Sequence, residues 1–147
     1  MIEGIFHVGI TVKDLEKSIA FYRDVLGMEL YIGPSDEMSG EEFSERVGVP
    51  DSRIRIAVLK AGDSDIELMQ FLSPLPESDQ PLPRNGVGAA HVALKVNDMD
   101  AAVNSLKAQG IDFLGDVTTE TEGVTKGWRW VFFRDLDGIP VELSSTP

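Results

Sequence analysis

Cysteine is absent from this chain of 147 residues. That absence excludes disulfide staples and thiolate metal sites, so any bound metal must be held by imidazole, carboxylate or amide oxygen. Histidine is almost as scarce, at two residues, and basic side chains are outnumbered: 13 lysines and arginines stand against 25 acids, a formal charge of −12. Such a balance repels phosphate backbones and anionic membrane surfaces unless the cations cluster, and here they are scattered. Nucleic acid and lipid are therefore not expected partners. No uninterrupted apolar run approaches the roughly 18 residues that a membrane span needs. The opening "MIEGIFHVGITVKDLEK" has an acid at position 3 and neither the basic start nor the long apolar core of a secretion signal. The expectation is a soluble, cytoplasmic protein.

What is present is a globular composition, 42% hydrophobic, and an internal repeat. Residues 89 to 106 read "AAHVALKVNDMDAAVNSL"; residues 5 to 22 read "IFHVGITVKDLEKSIAFY". His7 falls on His91, Val8 on Val92, Val12 on Val96, Asp14 on Asp98 and Leu15 on Met99, all at one offset. Both histidines of the protein thus occupy the same place in a repeated unit.

Each unit reads as a strand, a helix and three more strands. Phe6 to Val12 alternates apolar residues with His7, Gly9 and Thr11, the period-two pattern of a half-buried strand. Asp14 then caps a helix whose stripe is Leu15, Ile19, Tyr22 and Leu26, with Gly27 at its C-terminal end. Strands are expected near Met28 to Ile32, Arg53 to Lys60 and Asp65 to Phe71. The polar stretch from Gly33 to Asp51 is longer than a hairpin needs and suits a substrate-covering loop, with a helical turn around Glu41 to Val47. Pro74, Pro76, Pro81 and Pro83 mark a linker. The second unit then has a strand at Ala90 to Val96, a helix from Asp98 closed by Gly110, and strands near Asp112 to Leu114, Trp128 to Phe133 and Ile139 to Ser144. The expected organisation is α+β: a βαβββ module over residues 1–72, a linker over 73–88 and a second module over 89–147. Together they are expected to form a curved, mostly antiparallel sheet with helices on its convex face, since one such module buries too little apolar surface to stand alone.

Alternation also sorts side chains by face. His7 lies opposite Phe6, Val8 and Ile10; His91 lies opposite Val92 and Leu94. Glu67 in "DSDIELMQF" and Glu142 in "DGIPVELSS" lie opposite their apolar neighbours, in the matching tripeptides "IEL" and "VEL". If helices cover the apolar faces, all four side chains point to the other, concave face. Two imidazoles and two carboxylates converging there repel and lose hydration unless a divalent cation joins them. A set of two histidines and two glutamates suits Ni, Co, Zn, Mn or Fe. Met69 and Phe71 share the Glu67 face, and Trp130 is expected to point toward the metal if Phe132 pairs with Pro140 across the last hairpin; these three are candidate substrate-pocket residues. Lys126 and Arg129 are candidates to meet an anionic substrate group, and Arg134, Asp135 and Asp137 read as turn and ion-pair residues.

The opening "HVGITVKDLEKSIAFYRDVLGMEL", the restart "AHVALKV" and the ending "FFRDLDGIPVEL" resemble the vicinal oxygen chelate superfamily, which includes glyoxalase I, methylmalonyl-CoA epimerase, extradiol ring-cleaving dioxygenases and bleomycin- and fosfomycin-resistance proteins. The likeness spans nearly the whole chain apart from residues 33 to 51. It implies paired βαβββ modules and the metal ligands His7, Glu67, His91 and Glu142, the four that face alternation selects. It also implies proton transfer beside a metal-bound carbonyl, with Glu142 as the preferred general base and Glu67 as the second catalytic carboxylate. A dioxygenase would need only His7, His91 and Glu142, so Glu67 favours the lyase and isomerase branch. Thr11 and Phe71 stand where bacterial-type glyoxalase I has its glutathione-binding arginine and asparagine, which points away from glutathione. The expectation is a metal-dependent, glyoxalase I-like lyase or isomerase acting on a small substrate or thioester, as a homodimer. A methylmalonyl-CoA epimerase-like enzyme, an extradiol dioxygenase and a non-enzymatic small-molecule binding protein are the alternatives.

Overall fold

The computed structural model describes residues 1–147, and the chain divides into two compact units, Met1–Asp79 and Gln80–Pro147. In the first, strand β1 (His7–Thr11) leads into helix α1 (Leu15–Ala20), which runs on as a π-helical turn at Phe21–Val25. Then come β2 (Glu29–Ile32), β3 (Met38–Ser39), α2 (Glu41–Val47), β4 (Arg53–Ala61) and β5 (Ser64–Ser73). The second unit holds β6 (Val92–Lys95), α3 (Met99–Ala108), β7 (Thr118–Thr119), β8 (Arg129–Arg134) and β9 (Pro140–Ser145). The α+β class is as expected. No helix is long and apolar enough to cross a membrane.

Each unit builds its own sheet, and the two share one topology. The strand orders are β1-β5-β4-β2, with β3 beside β4, and β6-β9-β8-β7. In both, the first strand runs parallel to the last, and every other pairing is antiparallel. A parallel pair cannot be closed by a tight turn, so the chain must travel out through the helix and the outer strands before it returns.

The helices start where the sequence indicates. Asp14 and Asp98 have extended backbones, and their carboxylates accept from the N–H groups of Lys17 (3.0 Å) and Ala101 (2.9 Å). Those bonds satisfy donors that the first helical turn leaves unpaired. Gly27 and Gly110, at φ 75° and 85°, supply the left-handed residue that ends each helical run. Gln70 ties β5 to the start of α1: its Oε1 accepts from Leu15 N at 3.1 Å and its Nε2 donates to the Lys13 carbonyl at 3.0 Å.

Two outer elements differ from the expectation. Between Gly110 and Gly115 only one ladder rung forms, the Phe113–Phe133 bridge, instead of a strand at Asp112 to Leu114. The outer strand of that sheet is β7, two residues long, as is β3 in the first unit. A two-residue strand is too short for alternation to announce it.

Packing decides which face of each sheet is left for chemistry. In the first unit α1 packs on β4 and β5, and Leu15, Ile19, Ala57, Leu59, Ile66 and Leu68 are buried. In the second, α3 packs on β9, and Met99, Val103, Leu106, Val131, Phe133, Val141 and Leu143 are buried. Each such side chain withdrawn from water contributes on the order of 1.5–3 kcal/mol before chain entropy is counted. Because side chains alternate along a strand, burying Ile66 and Leu68 turns Glu67 outward, and burying Val141 and Leu143 does the same to Glu142.

Candidate metal centre

In the first unit the parallel register sets Gly9 beside Glu67 and His7 beside Asp65. The imidazole of His7, at the start of β1, leans along the strand so that its Nε2 lies 3.5 Å from Glu67 Oε2. A Cβ at position 9 would sit 3.7 Å from that oxygen and 3.1 Å from the Met69 methyl carbon. Gly9 thus leaves room for both side chains.

The second unit repeats the arrangement. Ala93 lies beside Glu142 in the parallel register, and His91, one residue ahead of β6, brings its Nε2 to 3.1 Å from Glu142 Oε2. Within each pair the burial is uneven: the His7 and His91 side chains are 40% and 44% exposed, Glu67 and Glu142 only 19% and 16%. The carboxylates sit sheltered on the sheet with the rings open above them. Neither unit gathers three or more His, Asp or Glu side chains into a ligand group; each presents one pair.

The donor chemistry fits a divalent transition ion. Imidazole nitrogen and carboxylate oxygen both bind such ions at about 2.0–2.2 Å. Two donors at that radius, in adjacent octahedral or tetrahedral positions, are about 3.0–3.5 Å apart. The His7–Glu67 and His91–Glu142 distances lie in that window.

The two glutamates differ in their supports. Glu142 Oε1 accepts the Ser144 hydroxyl, while Oε2 faces His91. Two residues beyond Glu67 stands Met69, which offers no such donor. Met69 and Phe71 share the Glu67 face of β5 and lie opposite Ile56 and Ile54 of β4, so the wall there is apolar.

Across the last hairpin the register places Phe132 opposite Glu142, Trp130 opposite Ser144 and Arg134 opposite Pro140. The expected Phe132–Pro140 pairing is thereby corrected. The reason lies in the turn: Asp135 Oδ1 accepts from both Asp137 N and Ile139 N, and Asp135 N donates to Ile139 O at 3.0 Å, closing the loop at that pair. The slip is two residues, so the face is kept and Trp130 remains on the side of Glu142. Its indole donates to Glu120 Oε1 at 2.7 Å. Its ring meets Phe132 edge-on at 5.8 Å, and Phe132 meets His91 edge-on at 5.1 Å. Phe132, not Trp130, is the aromatic ring next to the candidate ligand.

Of the cations expected to meet a substrate anion, Arg129 is committed elsewhere, bonded through both terminal nitrogens to Asp100. Arg134 donates to the Gly138 carbonyl, in keeping with its reading as a turn residue. A cavity of about 340 Å³ includes His91 in its lining, together with Arg84, Leu82, Ile139 and Pro140. A larger one, about 700 Å³, lies against α2 between Ser39 and Arg53. It touches none of the candidate ligands and is a surface recess of the polar excursion.

The sequence matches the Glyoxalase/Bleomycin resistance protein/Dioxygenase superfamily over residues 4–143. The chain belongs to this superfamily. Among its superfamily relatives is the 2-epi-5-epi-valiolone epimerase of an Actinomyces species, 35% identical over 98% of this chain and 80% of that protein. The mitochondrial methylmalonyl-CoA epimerase of Mus musculus is 33% identical over 93% of this chain and 70% of the relative. A glyoxalase family protein from Bacillus cereus has a crystal structure that superposes with a TM-score of 0.80 at 27% identity, over 99% of this chain and 95% of that one. These named relatives with a stated activity are enzymes, and an enzyme of isomerase or lyase type is the class they support.

Proposed function

We propose that the protein is a metal-dependent isomerase or lyase of the epimerase and glyoxalase type, moving a proton at the carbon beside a carbonyl of a small molecule or thioester. The observation that carries this is the duplicated His–Glu pair: in each unit an imidazole Nε2 faces a carboxylate Oε2 at 3.1–3.5 Å on the face that the helix leaves free. The similarity to two epimerases favours proton transfer over ring cleavage.

In each unit the pair, His7 with Glu67 or His91 with Glu142, would supply two ligands to a divalent ion from the group Ni, Co, Zn, Mn and Fe, which when bound supplies positive charge to the substrate oxygens and acidifies the neighbouring C–H bond. The residues of the chain do the rest. Glu142 accepts the proton at a carboxylate oxygen while the C–H electron pair moves toward the carbonyl. Glu67, at the matching place of the first unit, is the second carboxylate able to take or return a proton, and return of one proton to the carbon leaves the composition unchanged. Ser144 holds Glu142 in position by its hydroxyl. Beside Glu67 the apolar wall of Met69 and Phe71 limits water, and beside Glu142 the Phe132 ring does the same. A general base so placed contributes typically 10²–10⁴-fold.

The same proposal includes a homodimer. β1 and β6 are edge strands, each bonded on one side only, and an open edge is a template for pairing with another chain. The solution mass is expected at twice 16.1 kDa.

Incubation of the metal-loaded protein in deuterated water tests the function. With a 2-methylmalonyl thioester, or methylglyoxal plus glutathione, solvent deuterium should enter the carbon beside the carbonyl. Metal-loaded protein that exchanges no hydrogen in any such carbonyl compound would overturn the reading, as would a protein that takes up no transition metal at all.

A further inference from the structure

In a chain of charge −12 almost every arginine is already spent on an acid. Arg23, Arg46, Arg53, Arg55 and Arg129 each bond a carboxylate, and Arg134 bonds the Gly138 carbonyl. Arg84 is the exception: it forms no ion pair and no side-chain hydrogen bond. Its guanidinium carbon lies instead 4.0 Å from the centre of the Phe132 ring.

The placement of Arg84 is built by the backbone. Gly86 N donates to the Pro83 carbonyl at 2.7 Å, so Arg84 and Asn85 occupy the corner of a turn. Pro83 fixes the entry to that turn and Pro81 packs against Gly138, anchoring the segment to the β8–β9 hairpin. The other side of the arrangement is the candidate ligand: the Phe132 ring that carries Arg84 also meets His91 edge-on at 5.1 Å and stands opposite Glu142. Arg84 and His91 line the same cavity, whose volume of about 340 Å³ suits a small molecule. Held over the ring and bonded to no other side chain, the planar guanidinium keeps its N–H donors free in a fork that matches an oxyanion in two places at once.

We propose that Arg84 is a substrate-binding residue that recognises an anionic oxygen group, carboxylate or phosphate, on a molecule whose other oxygens lie at the His91–Glu142 end of the site. This rests on the metal-dependent reading given above and narrows it: the substrate carries a negative charge a short span from its reacting carbon. Lys126 and Arg129, the cations that sequence position suggests, do not share this cavity.

Three hydroxamates distinguish the possibilities, since each presents the same pair of metal-binding oxygens. Acetohydroxamic acid has no further charge, succinic monohydroxamic acid adds a carboxylate, and phosphonoacetohydroxamic acid adds a phosphonate in place of a phosphate. Binding to the full-length, metal-loaded protein is measured calorimetrically for wild type, Arg84→Gln and Arg84→Lys, with circular dichroism confirming the fold. Wild type should bind at least one anionic probe about tenfold or more tightly than acetohydroxamic acid, and the one preferred identifies the anion. Arg84→Gln should abolish that preference while binding acetohydroxamic acid and metal as wild type does. Arg84→Lys should keep part of it, because the charge remains but the fork is lost. Normal binding of metal and acetohydroxamic acid with no anion preference in wild type, or a preference that survives Arg84→Gln, overturns the role of Arg84 alone. Wild type that binds neither metal nor acetohydroxamic acid overturns the underlying metal reading and this inference with it.

Discussion

The Ser144 hydroxyl donates to Glu142 Oε1, two residues earlier on the same strand, leaving Oε2 of that glutamate to face His91. One hydrogen bond therefore sets which oxygen is available to a ligand. Partners of this kind around metal-binding residues are commonly worth 10–100-fold in affinity. Ser144→Ala is expected to weaken metal binding by about that factor while leaving the melting temperature close to wild type. Unchanged metal affinity by competition with a fluorescent chelator would show that the hydroxyl has no such role.

The two carboxylates should not be equivalent. In Glu142→Gln the amide oxygen can still coordinate but cannot accept a proton, so metal should be partly retained while solvent-hydrogen exchange falls by roughly two orders of magnitude or more. Glu67→Gln should be milder. Exchange that survives in Glu142→Gln and disappears in Glu67→Gln would reverse the assignment of the base.

Gly9 is a position where space is the whole argument. A Cβ there already approaches the Met69 methyl to 3.1 Å, a gap that the flexible thioether can widen. Gly9→Ala should therefore be tolerated, and the second unit itself carries Ala93 at the matching place. A branched side chain reaches further, toward Glu67 Oε2. Gly9→Val is expected to lower metal affinity at least tenfold with a folded circular dichroism spectrum, and equal metal affinity in Gly9→Ala and Gly9→Val would count against a site at Glu67.

Asp98 tests the fold apart from the chemistry. Its carboxylate caps α3 at 2.9 Å from Ala101 N, and loss of such a cap costs typically about 1 kcal/mol. Asp98→Ala should lower the urea midpoint accordingly, whereas Asp98→Ser, which can still cap, should recover most of the loss. Equal destabilisation by both would mean that the capping bond is not what matters there.

The repeat, the caps and the faces were readable from the chain because each depends on local chemistry. Alternation in "HVGIT" and "DIELM" is enough to turn His7 and Glu67 away from the core, and an aspartate before an apolar stripe is enough to begin a helix. What stayed hidden depends on pairing between distant segments. The Phe132–Glu142 register follows from how Asp135 closes its turn, a detail two side-chain bonds decide. β7 has two residues and no pattern of its own. The Ser144–Glu142 contact could have been found by period two, since both project from one face of β9. Arg84 could not: only the turn at Pro83–Gly86 lays it on Phe132, and no spacing rule connects residues 84 and 132.

The parallel pairing of β1 with β5, and of β6 with β9, has a consequence for synthesis. Each histidine leaves the ribosome at the beginning of its unit, and its glutamate arrives on the strand made last. No partial unit contains its pair: His7 waits for Glu67, and His91, made after Glu67, waits for Glu142. Contacts so distant in sequence are slow to form, because the intervening loop must close first. A metal ion bound by such a pair, as proposed above, would be captured only after the sheet of that unit has formed.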